Sequence, residues 1–180
     1  LAENTLVVFA SDNGGTRTGR NAPLSGNKGT LYEGGIRVPC IVRRPGHIKP
    51  GTTDDRVAIT MDLTASIVRA AGATPARAPV PGGGRAFDGI DVLADIGAGK
   101  PAAKRTLFWR ARRGDRTEWA VRDGDLKYLR RKVGERTDEH LFDLAADIAE
   151  KRDLLAQRPQ DAARLKRLLG EWEKEVRAGR

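Results

Sequence analysis

The run Thr5-Leu6-Val7-Val8-Phe9-Ala10 constrains the chain more than any other segment. It is apolar at odd and even positions alike and rich in β-branched and aromatic residues. A strand with one wet face would alternate. One that is apolar on both faces needs cover on both sides, as a central strand of a parallel α/β sheet has. The cluster Ser11-Asp12-Asn13-Gly14-Gly15 then ends the strand in a turn. Residues 14–35 are rich in glycine and polar side chains and read as a long loop, a kind of segment that is usually functional or disordered in compact domains. Residues 37–42 read as a second strand, with Pro39 marking an edge or a bulge. A mature protein seldom starts inside its own core, so Leu1 reads as a cut end, and the missing leader says nothing about compartment.

Further along, Leu63, Ile67 and Ala71 recur at helical spacing and predict a helix over 61–71. Asp62 lies near its positive end and Gly72 at its C′ position. Residues 74–86 hold three prolines and a triple glycine and read as a surface connection or lid. A short helix is predicted within 87–96. The character of the chain changes near residue 100. Thr106–Trp109 reads as a strand. Residues 119–122 and 126–129 read as a hairpin around Asp123-Gly124, and 141–144 as a further strand. Leu165, Leu168, Leu169, Trp172 and Val176 fall on one face of a final helix. The expected architecture is therefore an α/β part over 1–100 followed, over 101–180, by a small antiparallel sheet with a packed helix. The sequence shows no internal repeat.

Net charge is +9, of which residues 1–99 carry +2 and residues 100–180 carry +7. Acidic residues are interspersed through the basic half, so it reads as a solvated surface rather than a nucleic-acid arm. Four Phe, three Trp and two Tyr, several on predicted core faces, leave few rings for stacking bases, so no nucleic-acid partner is expected. No apolar run approaches the roughly 18 residues of a membrane span. The single cysteine, Cys40, excludes an internal disulfide framework and reads as a buried small hydrophobe.

Three side chains are candidates for chemistry. Asp12 and Asn13 follow the carboxyl end of a predicted parallel strand, the edge at which open α/β sheets bind ligands. A carboxylate beside an amide oxygen suits Ca²⁺ or Mg²⁺, although Asp-Asn-Gly is also an ordinary turn signal and two donors do not fill a shell of six to eight oxygens. Lys28 stands between Asn27 and Gly29 on the loop, where an ammonium can meet a sulfate or phosphate; a solvated surface lysine is the alternative. The segment does not have P-loop spacing. Glu33 and Arg37, four apart, read as a structural pair. His47 and His140 lack partners at metal-ligand spacing.

Taken together and in this order, Asn4–Gly14 and Gly26-Asn27-Lys28-Gly29-Thr30-Leu31-Tyr32-Glu33-Gly34-Gly35-Ile36-Arg37-Val38-Pro39 resemble the sulfatase family. The first looks like the strand and turn before its metal pair, the second like its G-x-K-G-T-x-Y-E-G-G-x-R-V-P segment. Weaker similarity runs through Thr60–Leu63, Phe87–Gly89, Ala120–Gly124 and His140–Leu144. The resemblance implies the carboxy-terminal portion of an arylsulfatase-like protein of the alkaline phosphatase superfamily, a sulfuric ester hydrolase acting on aryl or carbohydrate sulfates. By matching position, Asp12 and Asn13 would be Ca²⁺ ligands, with Mg²⁺ an alternative, and Lys28 a catalytic, substrate-binding residue at the sulfate. The family also needs a formylglycine made from the Cys or Ser of a C/S-x-P-x-R motif. Cys40 is followed by Ile41-Val42-Arg43, and no serine fits. The nucleophile, further metal ligands and active-site histidines are therefore expected in a missing amino-terminal part, which becomes a required partner, and the isolated chain is expected to be inactive. The resemblance also suggests a periplasmic or secreted bacterial protein, while the residues themselves leave the compartment open. A fragment of a related phosphatase or phosphonate-ester hydrolase, and a non-catalytic basic module binding a polyanion, are the competing readings.

Overall fold

The computed structural model describes residues 1–73 and 87–178; the proline- and glycine-rich segment 74–86 lies outside the described residues. The chain forms two compact units, one of residues 1–9 and 41–103, the other of residues 10–40 and 104–180.

The first unit carries the strands β1 (Val7–Ala10) and β2 (Cys40–Arg43), which pair as a two-stranded sheet. Both strands form near the predicted 5–10 and 37–42 but are shorter, and β2 begins only after Pro39. Their burial departs further from expectation: Val7, Phe9 and Ile41 are 48%, 62% and 64% exposed, and Cys40 is exposed, contrary to the buried thiol expected from its apolar neighbours. Two strands cannot cover one another's faces, and no described helix covers them. After the single-turn helix α1 (Glu33–Ile36), which lies in the other unit, the helix α2 (Thr60–Ala70) forms as predicted, but its buried face is Asp62, Ala65 and Ser66 rather than Leu63, Ile67 and Ala71. It packs against α3 (Val92–Gly97), whose Val92 and Leu93 are buried. Asp62 does more than face the helix dipole. One oxygen accepts the Ile59 N–H at 2.8 Å and the other the Ile90 N–H at 3.0 Å, while Ser66 Oγ accepts Leu93 N–H at 3.2 Å. Polar groups thus select this face because they tie in the chain just before α3 and the first turn of α3 itself. Gly72, at φ +76°, ends α2. The Gly72 and Ala73 amides donate back to the Arg69 and Val68 carbonyls, which closes a Schellman motif.

The second unit is built on an antiparallel meander, β3 (Thr106–Arg113), β4 (Arg116–Asp123), β5 (Leu126–Val133) and β6 (Arg136–Asp143), in sequential order. All four strands are longer than the sequence pattern suggested. The hairpin loops are Gly114-Asp115, Gly124-Asp125 and Gly134-Glu135, each glycine at positive φ. The β4–β5 turn is therefore centred one residue later than Asp123-Gly124, because Asp123 still pairs with Leu126. These Gly-acid turns recur every ten residues, a short periodicity in a sequence otherwise read as free of repeats. Alternation sorts the side chains into two buried faces. Phe108, Val121, Tyr128 and Leu141 form a row across all four strands and face Ala162, Leu165 and Leu169 of α4 (Pro159–Ala178). Trp109, Ala120 and Leu129, with Phe142, face Leu31, Tyr32 and Ile36 of the loop. The fold class is the expected one, with α4 packed as its apolar stripe requires, but the loop's role as the second cover of this sheet was not foreseen.

Candidate functional site

The loop that bears Asp12, Asn13 and Lys28 belongs to the second unit. It crosses itself. Lys28 N–H donates to the Gly15 carbonyl at 2.8 Å, and Gly14 N–H to the Gly35 carbonyl at 2.9 Å. These bonds bring the Lys28 turn back to within two residues of Asn13 and explain the glycines. A Cβ on Gly14 would sit 1.9 Å from the Gly34 oxygen, one on Gly34 2.5 Å from the Ser25 and Gly26 oxygens, and one on Gly35 2.1 Å from the Thr30 oxygen. Backbone meets backbone here, and no side chain fits between.

Lys28 stands second in a tight turn closed by Thr30 N–H donating to the Asn27 carbonyl at 3.0 Å, with Gly29 third at φ +89°, the sign a type II turn demands. Thr30 Oγ1 also donates to the Asn27 carbonyl and accepts the Asn27 N–H. Asn21 clamps the crossing: its Oδ1 accepts the Gly15 N–H at 3.0 Å, and its Nδ2 donates to the Gly15 and Gly26 carbonyls. Sequence reasoning passed over Asn21, because nothing in a single sequence distinguishes a clamping asparagine from a turn asparagine.

Two charged side chains on the inner face of the sheet hold the loop down. Glu118 Oε2 accepts the Leu31 N–H at 2.7 Å. Lys127, fully buried, donates to Glu33 Oε1 and Glu150 Oε1, both at 2.8 Å, and Glu150 Oε2 accepts the Glu33 N–H at 2.6 Å. Arg37 donates to Glu33 Oε2 at 2.7 Å, the pair the sequence predicted. One ammonium thus serves two buried carboxylates. Burial pushes both up. For Glu33, Lys127 with Arg37 more than reverses this and holds the carboxyl below its usual value; Glu150 stays above its own. Glu150 also adopts φ +54°, a left-handed conformation unusual for a side-chain-bearing residue and held here by these bonds. The signal for this network was present: Lys127 shares a strand face with Leu129, and Glu118 one with Ala120, so a charge sits on each apolar face.

Lys28 lines an open depression of about 590 Å³ together with Arg17, Arg113 and Arg116. Asp12 and Asn13 are not among its lining residues. Asp12 is exposed and Asn13 half-buried. Ser11 Oγ donates to the Asn13 carbonyl at 2.8 Å, and neither side chain of the pair is engaged by another described residue. Two hard oxygen donors are therefore left available, which fits Ca²⁺ or Mg²⁺ in kind. Among the described residues no three His, Cys, Asp or Glu side chains gather at one point, so the pair would contribute part of a shell. His140 is engaged elsewhere, with Nδ1 2.8 Å from Asp153 Oδ2 and its ring stacked on Phe142.

Residues 1–73 match the Sulfatase family model. Human arylsulfatase A is 37% identical over 134 residues, which cover 71% of this chain and 25% of that protein. A sulfatase of Formosa agariphila is 31% identical over 172 residues, 88% of this chain and 30% of that protein. The crystal structure of Ps i-CgsB superposes with a TM-score of 0.81 at 28% identity over 95% of this chain and 37% of that one. The chain belongs to the sulfatase family, and it spans about a quarter to a third of the length of these curated relatives.

Proposed function

We propose that this chain is the carboxy-terminal portion of a sulfatase that hydrolyses sulfate esters, the unit of residues 1–9 and 41–103 belonging to its α/β core and the meander with α4 forming its antiparallel subdomain, on which the site loop of residues 10–40 rests. In this reading Asp12 and Asn13 hold a divalent cation, Ca²⁺ or Mg²⁺, and Lys28 contacts the sulfate. The observation that carries it is the crossing at Gly15, which returns a lysine on a tight turn to the neighbourhood of the aspartate–asparagine pair. The metal would supply Lewis-acid polarisation of the sulfate. Lys28, without an acidic partner among the described residues, offers its ammonium to the negative charge that grows on the leaving oxygen as the S–O bond breaks. The turn fixes its backbone beforehand. The formylglycine nucleophile is assigned to a preceding part of the protein, since no C/S-x-P-x-R motif occurs in these residues. The exposed apolar faces of β1 and β2 support the same assignment, because Val7, Phe9 and Ile41 present the surface that a larger sheet core would cover. A periplasmic or secreted location accords with this reading.

The test compares the purified chain with a version extended at its amino end by a segment bearing the C/S-x-P-x-R motif. Turnover of a sulfate ester is expected only in the extended protein, and Lys28→Ala there should lower kcat by about 10²–10³-fold. Turnover by the chain alone, or an unimpaired Lys28→Ala variant, would sink the proposal.

A further inference from the structure

The depression beside Lys28 gathers more positive charge than one sulfate group requires. Arg113 closes β3 and Arg116 opens β4, directly opposite each other across the hairpin. Like charges so placed repel. Alternation puts both on the sheet face that meets the loop. Arg116 is committed there: its Nη2 donates to the Gly29 carbonyl at 2.5 Å and its Nε lies 3.6 Å from Glu118 Oε1. Arg113 is not. Its guanidinium rests against Gly29, where an added Cβ would come within 2.7 Å of Nη1, and no described carboxylate pairs with it. Arg17, on the opposite limb of the loop, also lacks an acidic partner among the described residues. With Lys28, three uncompensated cations share this depression, and its remaining lining residues, Thr16, Asn27 and Thr30, are neutral and polar. Among the described residues no acidic, aromatic or large aliphatic side chain lines it.

Assembling charges of one sign costs Coulomb energy that a bound anion offsets. A guanidinium presents its donors as a planar fork, matched to a carboxylate or sulfate. An aryl group would find no aromatic or large aliphatic side chain among the described lining residues, whereas a sugar's hydroxyls would find amide and hydroxyl groups. We propose that Arg17 and Arg113 bind a second acidic group, a sulfate or a carboxylate, carried on the same molecule as the ester sulfate at Lys28. The substrate class is then a carbohydrate sulfate with at least two acidic groups rather than a simple aryl sulfate. This rests on the reading of Lys28 as the sulfate-binding residue. Arg116 is a positioning residue that fixes Gly29 beneath the site.

The test is calorimetric titration of the purified chain with four probes: 4-nitrophenyl sulfate, a monosulfated disaccharide, the same disaccharide with a second sulfate, and one with a sulfate and a carboxylate. Binding of at least one two-acid probe should be tighter than that of the monosulfated one by about tenfold, the contribution of one charge-assisted contact. The exposed pair Arg17→Gln/Arg113→Gln should bring that probe down to the monosulfated affinity with the fold intact by circular dichroism. Lys28→Gln should weaken every sulfated probe, and Lys174→Gln, on the exposed side of α4, should change none. Which second group binds tighter separates sulfate from carboxylate. No saturable binding of either two-acid probe, no preference over the monosulfated one, a preference that survives the double substitution, or an equal loss in Lys174→Gln each overturns the proposal. If the preference is absent while Lys28→Gln still weakens the monosulfated probe, the second-acid site fails and the reading of Lys28 stands. If the preference disappears in the arginine variant but Lys28→Gln is without effect, the reading of Lys28 fails and the arginine site stands.

Discussion

The two sheets of this chain have similar apolar strands and opposite surroundings. The four-stranded meander is covered by α4 on one face and by the loop around Leu31–Ile36 on the other, so that Val121, Leu129 and Leu141 are fully buried. The β1–β2 pair leaves Phe9 and Ile41 mostly exposed. An apolar pattern thus states what cover a strand needs and not whether neighbouring residues provide it. The site loop draws its order from the covered sheet, through Glu118, Lys127 and Glu150, and it holds Lys28 from there.

The largest contrast should appear in amide exchange. Amides of β5 are expected to exchange only through global unfolding, and those of Val7–Ala10 at least about a hundredfold faster in the isolated chain. Strong protection of β1 would break the comparison. Next in size is Lys127→Met, which leaves Glu33 and Glu150 buried without their cation. A loss of about 3–5 kcal/mol in urea denaturation is expected, together with faster exchange at the Leu31 and Glu33 amides. A near-neutral result would mean that the loop is not anchored through this lysine. Gly14→Ala should cost about 2–3 kcal/mol, since its Cβ meets the Gly34 carbonyl. Wild-type stability in that variant would argue against the loop crossing. Asn21→Ala removes the clamp and should cost about 1–2 kcal/mol while loosening the Lys28 amide in exchange.

The smallest expected effect is on pH dependence. The Asp123 carboxyl is held below its usual value by the Arg164 hydrogen bond, aided by Thr106. Burial pushes Asp153 and Glu33 up, but the Leu141 and Leu155 amides with His140 in one case, and Lys127 with Arg37 in the other, leave both depressed. Carboxyls with depressed folded-state values contribute stability that is fully present above the ordinary range of about 4 and is lost as pH falls through their lower values. Glu150, raised by burial, acts in the opposite sense. Acidification below about pH 4 should therefore lower the urea midpoint of the meander unit, and Asp123→Asn should flatten part of that slope.

Much of this was legible from local pattern. The α4 stripe, both amino-terminal strands, Gly72 as a helix stop and the Glu33–Arg37 pair depend on residues close in sequence. The misses share a different cause. The buried face of α2 is set by Asp62 and Ser66 reaching the chain near Ile90 and Leu93, more than twenty residues away. Cys40 is exposed because nothing described covers β2. Lys127 stands on an apolar strand face, but the partners that make this tolerable, Glu33 and Glu150, lie 94 and 23 residues away in the sequence.

By itself, the sequence determined the family, the order of the elements and the residue types at the site, since motif spacing and apolar periodicity are properties of neighbouring positions. Tertiary structure alone decided that the loop is the second cover of the meander, that Asn21 and Gly15 pin the Lys28 turn, and that Arg17 and Arg113 join Lys28 in one depression. Those outcomes follow from long-range hydrogen bonds and buried charges, whose partners a linear pattern does not specify.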